Sequence, residues 1–346
     1  MAQVHPVNYS LNASADIEQF NISSLSTTDF DMESFRVVIT TLFILVCVCG
    51  LLGNGLVIVI LLRFSDMRTV PNVFILNLAS SDFLFMLGIP FLLQYNMQGQ
   101  WIFGNGMCKI VQCIDYINMF TGIFTLTVMS CDRYLALVYP LRSMSLRTVK
   151  HARITCIILW IISIPLTLPL WLYSTVSHIT DEFNQPKTEC ETNWPNDYIN
   201  HVFFIFAFVV GFALPILLIS LCHVGILRHV VCMKNKADLG RHFPQFSMKI
   251  TMIILLALLA FAVCWLPYWV LILLRAIGNQ KVTLEYYVVF NISLCLSYFN
   301  SCLNPLIYTC VGRDFQEKMS RFFHCSRGAD INSRMTTTGD MRITKL

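Results

Sequence analysis

Four ionisable side chains stand where the residues around them are apolar. Asp82 ends the stretch Asn77-Leu78-Ala79-Ser80-Ser81-Asp82 inside a long hydrophobic run. Asp115 opens Asp115-Tyr116-Ile117-Asn118-Met119-Phe120 in another run, and Asp132-Arg133-Tyr134 closes that same run. A charge inside a lipid-spanning segment costs at least roughly 3 kcal/mol, so each of these marks a site by default. The chemistry they offer is recognition. A carboxylate in a partly dry pocket seeks a cation. An adjacent Asp–Arg pair can hold or release a guanidinium. No nucleophile–base arrangement stands out, no Cys-x-x-Cys pair occurs and the eight histidines are scattered. Neither an enzyme nor a structural zinc site is expected.

The elements that must position these residues follow from composition. Of 346 residues, 56% are hydrophobic and 13% charged, whereas a soluble domain carries about 25% charged residues. A membrane-spanning helix needs about 20 apolar residues. Seven stretches qualify, roughly 37–62, 72–95, 107–136, 152–173, 202–227, 250–274 and 284–310. They are too long for barrel strands and lack strict alternation, so helices are expected. The fold class is an all-α membrane protein, a seven-transmembrane helix bundle. Most of the fourteen cysteines fall inside these runs, where a free thiol acts as a small hydrophobe.

Lys and Arg set the orientation. With the N-terminus outside, residues 63–70, 133–153, 228–249 and 313–346 face the cytoplasm and hold 2, 5, 5 and 7 of these cations. The other side holds Arg36, Lys109, Lys187, Arg275 and Lys281, a bias of 19 to 5. A multi-pass plasma-membrane protein with an extracellular N-terminus is expected. No charged-then-apolar leader precedes the first run, which begins near Val37 and would itself direct insertion. Sequons at Asn8, Asn12 and Asn21 mark residues 1–35 as an extracellular glycosylated segment. Residues 36–311 then form the seven-span domain, 312–325 a short amphipathic helix on the membrane surface, and 326–346 a polar cytoplasmic tail. Cys325 suits palmitoylation, and Thr336, Thr337 and Thr338 suit phosphorylation. Membrane lipids are therefore partners. Nothing points to nucleic acid.

Helical geometry separates two roles along the third run. Asp115 and Arg133 are 18 residues apart, a rise of about 27 Å. Asn118 and Gly122 follow Asp115 at i+3 and i+7 and share its face, which must look into the bundle. Pro90, Pro169, Pro215, Pro267 and Pro305 fall within spans. Each removes a backbone hydrogen bond and can kink its helix. The face assigned to the outside carries 11 acids against 5 Lys and Arg, a field that would steer a cation inward.

Short motifs punctuate the spans in order. Span one carries Gly53-Asn54-Gly55-Leu56-Val57 and span two Asn77 to Asp82. Trp101-Ile102-Phe103-Gly104 precedes Cys108, and span three ends on Asp132-Arg133-Tyr134. Trp160 lies in span four, Pro215 in span five, Cys264-Trp265-Leu266-Pro267 in span six and Asn304-Pro305-Leu306-Ile307-Tyr308 in span seven. Together they resemble the rhodopsin-like (class A) G-protein-coupled receptors, over residues from about 36 to 325. Asp115 to Phe120 is similar to the span-three signature of somatostatin and opioid receptors. Tyr298 to Pro305 resembles that group and the melanin-concentrating hormone receptors. Pro169-Leu170-Trp171-Leu172-Tyr173 and Val282-Thr283-Leu284 lean toward the latter.

The resemblance implies a receptor for a peptide whose Lys or Arg is anchored by Asp115, with Tyr298 facing the carboxylate. Tyr116, Met119, Trp265, Tyr268, Trp269 and Ile272 would line the pocket, with Gln94 and Tyr95 at its rim. Cys108 would pair with Cys190, the single cysteine of the second outer loop, and Cys113 is a deeper competitor. Asp82, Asn118, Asn300, Ser301 and Asn304 resemble the family's sodium-binding cluster, whose oxygens suit a hard cation. Gly122 departs from the usual serine there. No other cofactor is implied. Arg133, held by Asp132, and Tyr134 would meet a heterotrimeric G protein when the helices open. Trp265 beside Pro267, and Tyr308 beside Asn304 and Pro305, would be the moving parts. The short basic loop before span six fits a branch that couples to inhibitory (Gi/o) G proteins, with arrestin and receptor kinases as further partners.

Three competing readings are weaker. An opsin needs a lysine in span seven, where none occurs. A transporter or channel predicts inverted repeats and several midplane charges, whereas Asp82 stands alone. A class A receptor for a non-peptide cationic ligand would share the Asp115 anchor and is the alternative kept.

Overall fold

The structure is a computed structural model that describes residues 22–180, 186–236, 245–277, 283–311 and 315–323. Among these, seven helices are long and apolar enough to cross a membrane. Span one is Glu33–Arg63, span two Val70–Gln98, span three Gly104–Val138 and span four Val149–Leu166. Span five is Asp197–Cys232, span six Thr251–Ala276 and span seven Glu285–Cys310. Each lies on one of the expected runs. The helix carrying span one begins further back, at Ile22.

Prolines explain where the helices depart from plain rods. Span two breaks at Leu87-Gly88, and the helix Ile89–Gln98 restarts with Pro90 in its first turn. An N–H there has no intrahelical partner to lose, so proline is tolerated. Span four is shorter than expected for the same reason. It stops at Leu166, and Leu168–Tyr173 restarts with Pro169 in its first turn. Span five widens into a π-type turn over Val209–Ala213, just before Pro215. Pro215 cannot donate to a carbonyl four residues back, and the wider turn absorbs the missing bond. Pro267 and Pro305 sit inside spans six and seven.

Span three is the axis of the bundle. Of its most apolar window, 72% is buried inside the protein, against 22% for span four. It packs on spans two, four, five and six. Polar ties cross this core, as they must where no water can serve backbone or side chain. Trp160 Nε1 donates to Asn77 Oδ1 at 2.9 Å, and Asn77 Nδ2 donates to Thr125 Oγ1 at 2.9 Å, joining spans four, two and three. Asn54 Nδ2 donates to the carbonyls of Gly50 and Ser301, both at 3.0 Å, joining spans one and seven.

The all-helical expectation gains one addition. The loop between spans four and five is a two-stranded antiparallel hairpin, β1 Ser174–Thr180 and β2 Pro186–Thr192, in a register that sets Val176 opposite Cys190. A disulfide joins Cys190 to Cys108 at the start of span three, with Cα atoms 5.5 Å apart. Cys113 is a free thiol. The loop before span three also holds the hairpin: Trp101 N donates to Thr188 O at 2.8 Å, and Thr188 Oγ1 donates to Trp101 O at 2.6 Å.

After span seven, residues 315–323 are helical. Lys318 of this helix pairs with Asp66, between spans one and two, and its ammonium lies 5.5 Å from the centre of the Phe64 ring. The hydrogen bond from Lys318 holds the Asp66 carboxyl below its ordinary range. The sequon residues Asn8, Asn12 and Asn21, Cys325 and the tail threonines lie outside the described residues.

Candidate functional site

Asp115 sits in the half of span three nearer the hairpin, 7% exposed. It opens onto a cavity lined by Phe85 of span two, Asp115, Tyr116 and Met119 of span three, Trp265 and Tyr268 of span six, and Leu294, Ser297 and Tyr298 of span seven. Tyr298 Oη donates to Asp115 Oδ1 at 2.9 Å across 183 residues of sequence. The Tyr298 ring is locked for that task, stacked on Phe85 with centroids 4.2 Å apart and meeting Phe43 edge-on at 5.7 Å. Tyr116 and Tyr268 bring their hydroxyls to 3.5 Å on the opposite wall. The cavity thus presents one carboxylate, three phenols and aromatic surface.

Six of the residues expected at a ligand site share this cavity: Asp115, Tyr116, Met119, Trp265, Tyr268 and Tyr298. Four do not line it. Trp269 is fully buried and meets Phe208 of span five edge-on at 5.6 Å. Ile272, one turn further along, is 2% exposed in the core. Tyr95 packs with Trp101, Cys108, Val111 and Cys190 beneath the hairpin. Gln94 donates to Gln98 Oε1 at 2.7 Å on its own helix. Three lining residues were not expected: Phe85, Leu294 and Ser297. Phe85 lies at i+3 from Asp82, and Leu294 at i−4 from Tyr298, so helical spacing from the residues already singled out would have found them.

Beside the cavity, rings connect spans five and six in a closed circuit. Phe208, Phe212, Phe261, Trp265, Tyr268 and Trp269 meet in turn at 5.6 to 6.1 Å between centroids. Phe212 belongs to the π-type turn and Trp265 faces the cavity. A change in the cavity therefore has packed aromatic neighbours on both helices.

At mid-bundle, Ser301 Oγ donates to Asp82 Oδ1 at 2.7 Å and Asn304 Nδ2 donates to Asp82 Oδ2 at 2.8 Å. Ser81 Oγ donates to Asn118 Oδ1 at 2.7 Å. The Asn300 Oδ1 oxygen is buried and has no hydrogen-bond partner among the described residues. A Cβ on Gly122 would meet Leu78 Cδ1 at 3.6 Å, an ordinary contact, and glycine supplies no side-chain oxygen there. The oxygens gathered here suit a hard cation.

At the far end of span three, Arg133 Nη2 donates to Asp132, and both side chains are buried. Arg147, from the loop before span four, donates to the same carboxylate; the sequence reading did not single it out. The Tyr134 ring lies on span five at Gly225, where a Cβ would come within 2.5 Å of Cε2. Tyr308 is 2% exposed in span seven.

Comparison with known proteins decides what these parts belong to. The family described as 7 transmembrane receptor (rhodopsin family) matches residues 53–308. The chain belongs to the rhodopsin-like G-protein-coupled receptors. The match reaches into every span and includes every residue lining the cavity and both polar clusters. The receptor is 36% identical to somatostatin receptor type 4 of Rattus norvegicus over 285 residues, 82% of this chain and 72% of that one. It is 35% identical to somatostatin receptor type 2 of Mus musculus over 302 residues, 86% and 79% of the two chains. With somatostatin receptor type 5 of Mus musculus it shares 35% over 329 residues, 93% and 87%. The receptor is accordingly a multi-pass membrane signalling protein and not an enzyme.

Proposed function

We propose that this receptor binds a peptide from outside the cell and signals through inhibitory (Gi/o) heterotrimeric G proteins. One observation carries the reading: the Asp115 carboxylate, buried among three phenols and one indole in a cavity walled by four spans. An anion already removed from water gains most from a cation that brings hydrogen bonds with it. A Lys or Arg side chain of a peptide is such a cation. The somatostatin receptors among the relatives support a peptide as its source. The bias of Lys and Arg supports an outside N-terminus, and so a cavity that opens outward.

A ligand touching spans two, three, six and seven together fits one arrangement of those helices better than another and shifts a pre-existing equilibrium. The indole N–H of Trp265 and the hydroxyl of Tyr308 are buried without a partner among the described residues. Such groups gain partners when the helices that carry them, each interrupted by proline, rearrange. Release of Arg133 from Asp132 would then present a guanidinium to the Gα subunit. Arrestin and receptor kinases would act on the same face and tail.

Sodium would be held by the Asp82 carboxylate with oxygens of Asn118, Asn300 and Ser301, and Asn304 would steady the carboxylate. Its charge would neutralise Asp82 in the resting arrangement. Gly122 withholds one oxygen, so the hold would be weaker than with serine.

The test is a screen of basic amidated and cyclic peptides on cells expressing the receptor, read as inhibition of cyclic AMP formation. A hit whose effect is abolished by pertussis toxin supports the reading. A hit that raises calcium insensitively to the toxin and leaves cyclic AMP unchanged would overturn the coupling assignment.

A further inference from the structure

The Asp132–Arg133 pair has a third member. Arg147 Nε donates to Asp132 Oδ1 at 2.7 Å and Arg147 Nη2 donates to Asp132 Oδ2 at 3.2 Å, a two-pronged contact. Arg133 donates to that same Oδ2. One carboxylate, 9% exposed, thus serves two guanidiniums, of which that of Arg133 is 6% and that of Arg147 25% exposed.

The backbone places Arg147 there. After span three the chain turns through a single helical turn, Pro140–Ser143. Ser143 Oγ donates back to Leu135 O at 3.2 Å, folding the loop onto the end of the span. Arg147 N then donates to Ser143 O at 3.0 Å. Thr148 caps span four directly afterwards, its Oγ1 accepting from His151 N at 3.2 Å. Arg147 is held between two anchored turns, with its fork aimed at Asp132.

Neighbours in a helix do not face one another. Asp132 reaches Arg133 only by turning toward it, and whatever else grips the carboxylate decides how firmly it does so. Two cations on one poorly hydrated carboxylate also repel each other. We propose that Arg147 is a positioning residue for the switch: it competes with Arg133 for Asp132 and sets how readily Arg133 is released. Without Arg147 the carboxylate belongs wholly to Arg133, and the resting arrangement is favoured. This rests on the reading that this end of the bundle meets a G protein.

The experiment measures agonist-free nucleotide exchange on a purified Gi heterotrimer, using membranes with matched surface levels of full-length receptor. Arg147→Ala should lower exchange about fivefold, the lower end of the range for coupled sites. Arg147→Lys keeps the charge and should stay within about twofold of wild type. Asp132→Asn should raise exchange, and adding Arg147→Ala to it should change nothing further. An Arg147 that acted by touching the G protein, or by folding its loop, would cost the same factor in both backgrounds. That result overturns the proposal, as does unchanged or increased exchange for Arg147→Ala alone. Melting temperatures of the purified receptor provide a second cycle without any partner: coupled shifts for the two substitutions support the pairing and additive shifts overturn it. Wild-type receptor that drives no exchange on Gi even with the agonist found by screening, alongside coupled melting temperatures, would refute the Gi reading and leave the pairing supported.

Discussion

Replacing Tyr298 by phenylalanine takes one hydroxyl out of the cavity and keeps the ring. The ring retains its stack on Phe85, planes 7° apart, and its edge contact with Phe43. The bond lost is the one to Asp115 Oδ1 at 2.9 Å. Hydrogen bonds to charged groups contribute about 1.5–3 kcal/mol in soluble proteins. Bonds between membrane helices average about 0.6 kcal/mol and reach about 1.7 kcal/mol. Tyr298 is 1% exposed and Asp115 7%, so the bond lies away from bulk solvent and the upper membrane figure applies, about 1.5 kcal/mol. The assay is thermal denaturation of purified, ligand-free receptor for Tyr298→Phe, Asp115→Ala, which leaves no acceptor, and the double variant. If the two residues act through their bond, the double variant is less destabilised than the sum by about 1.5 kcal/mol. Additivity to within about 0.3 kcal/mol would show that the hydroxyl and the carboxylate are independent, and the pocket geometry argued above would be wrong.

Three further outcomes follow. Trp160→Phe should lower stability by about 0.6–1.7 kcal/mol, because Asn77 Oδ1 loses its donor while the core keeps a ring; an unchanged melting temperature would mean that the tie between spans two and four contributes nothing. Gly225→Ala adds a Cβ 2.5 Å from Tyr134 Cε2. It should reduce agonist-stimulated exchange while surface expression stays near wild type; full activity would show that Tyr134 needs no fixed seat on span five. Asp66 has a folded carboxyl pKa below its unfolded one because of Lys318. Its contribution is therefore present at neutral pH and lost as pH falls through the folded value. The melting-temperature gap between wild type and Lys318→Met should close below the ordinary carboxylate range, and a gap that grew on acidification would reverse the sign.

Much of the bundle was legible because lipid permits so few solutions. Apolar runs of spanning length can only be helices, and the residues that interrupt them, Asp82, Asp115 and the Asp132–Arg133 pair, had to face inward. Which side chains meet was harder to read. Asp115 and Tyr298 are 183 residues apart, and nothing in local spacing pairs them; the family resemblance did. Trp265 and Trp269 share a helix face by spacing, yet one lines the cavity and the other is buried against Phe208, a difference set by how span six packs on span five. The hairpin escaped notice because its seven-residue strands are polar and short. Arg147 escaped because its partner lies 15 residues back, brought near by a loop whose path no periodicity encodes.

The central claim is that Asp115 anchors a cation of the ligand, and the most direct test is a cycle between receptor and peptide. The agonist found by screening is remade with its Lys or Arg replaced by norleucine or citrulline, and both peptides are titrated on wild-type and Asp115→Asn receptor. Breaking a buried, hydrogen-bonded charge pair costs about 2 kcal/mol or more, roughly 30-fold in affinity. The account predicts that each change alone causes a loss of that size and that the two together cost little more than either. A peptide that keeps full affinity for the Asp115→Asn receptor, or losses that multiply, would contradict it.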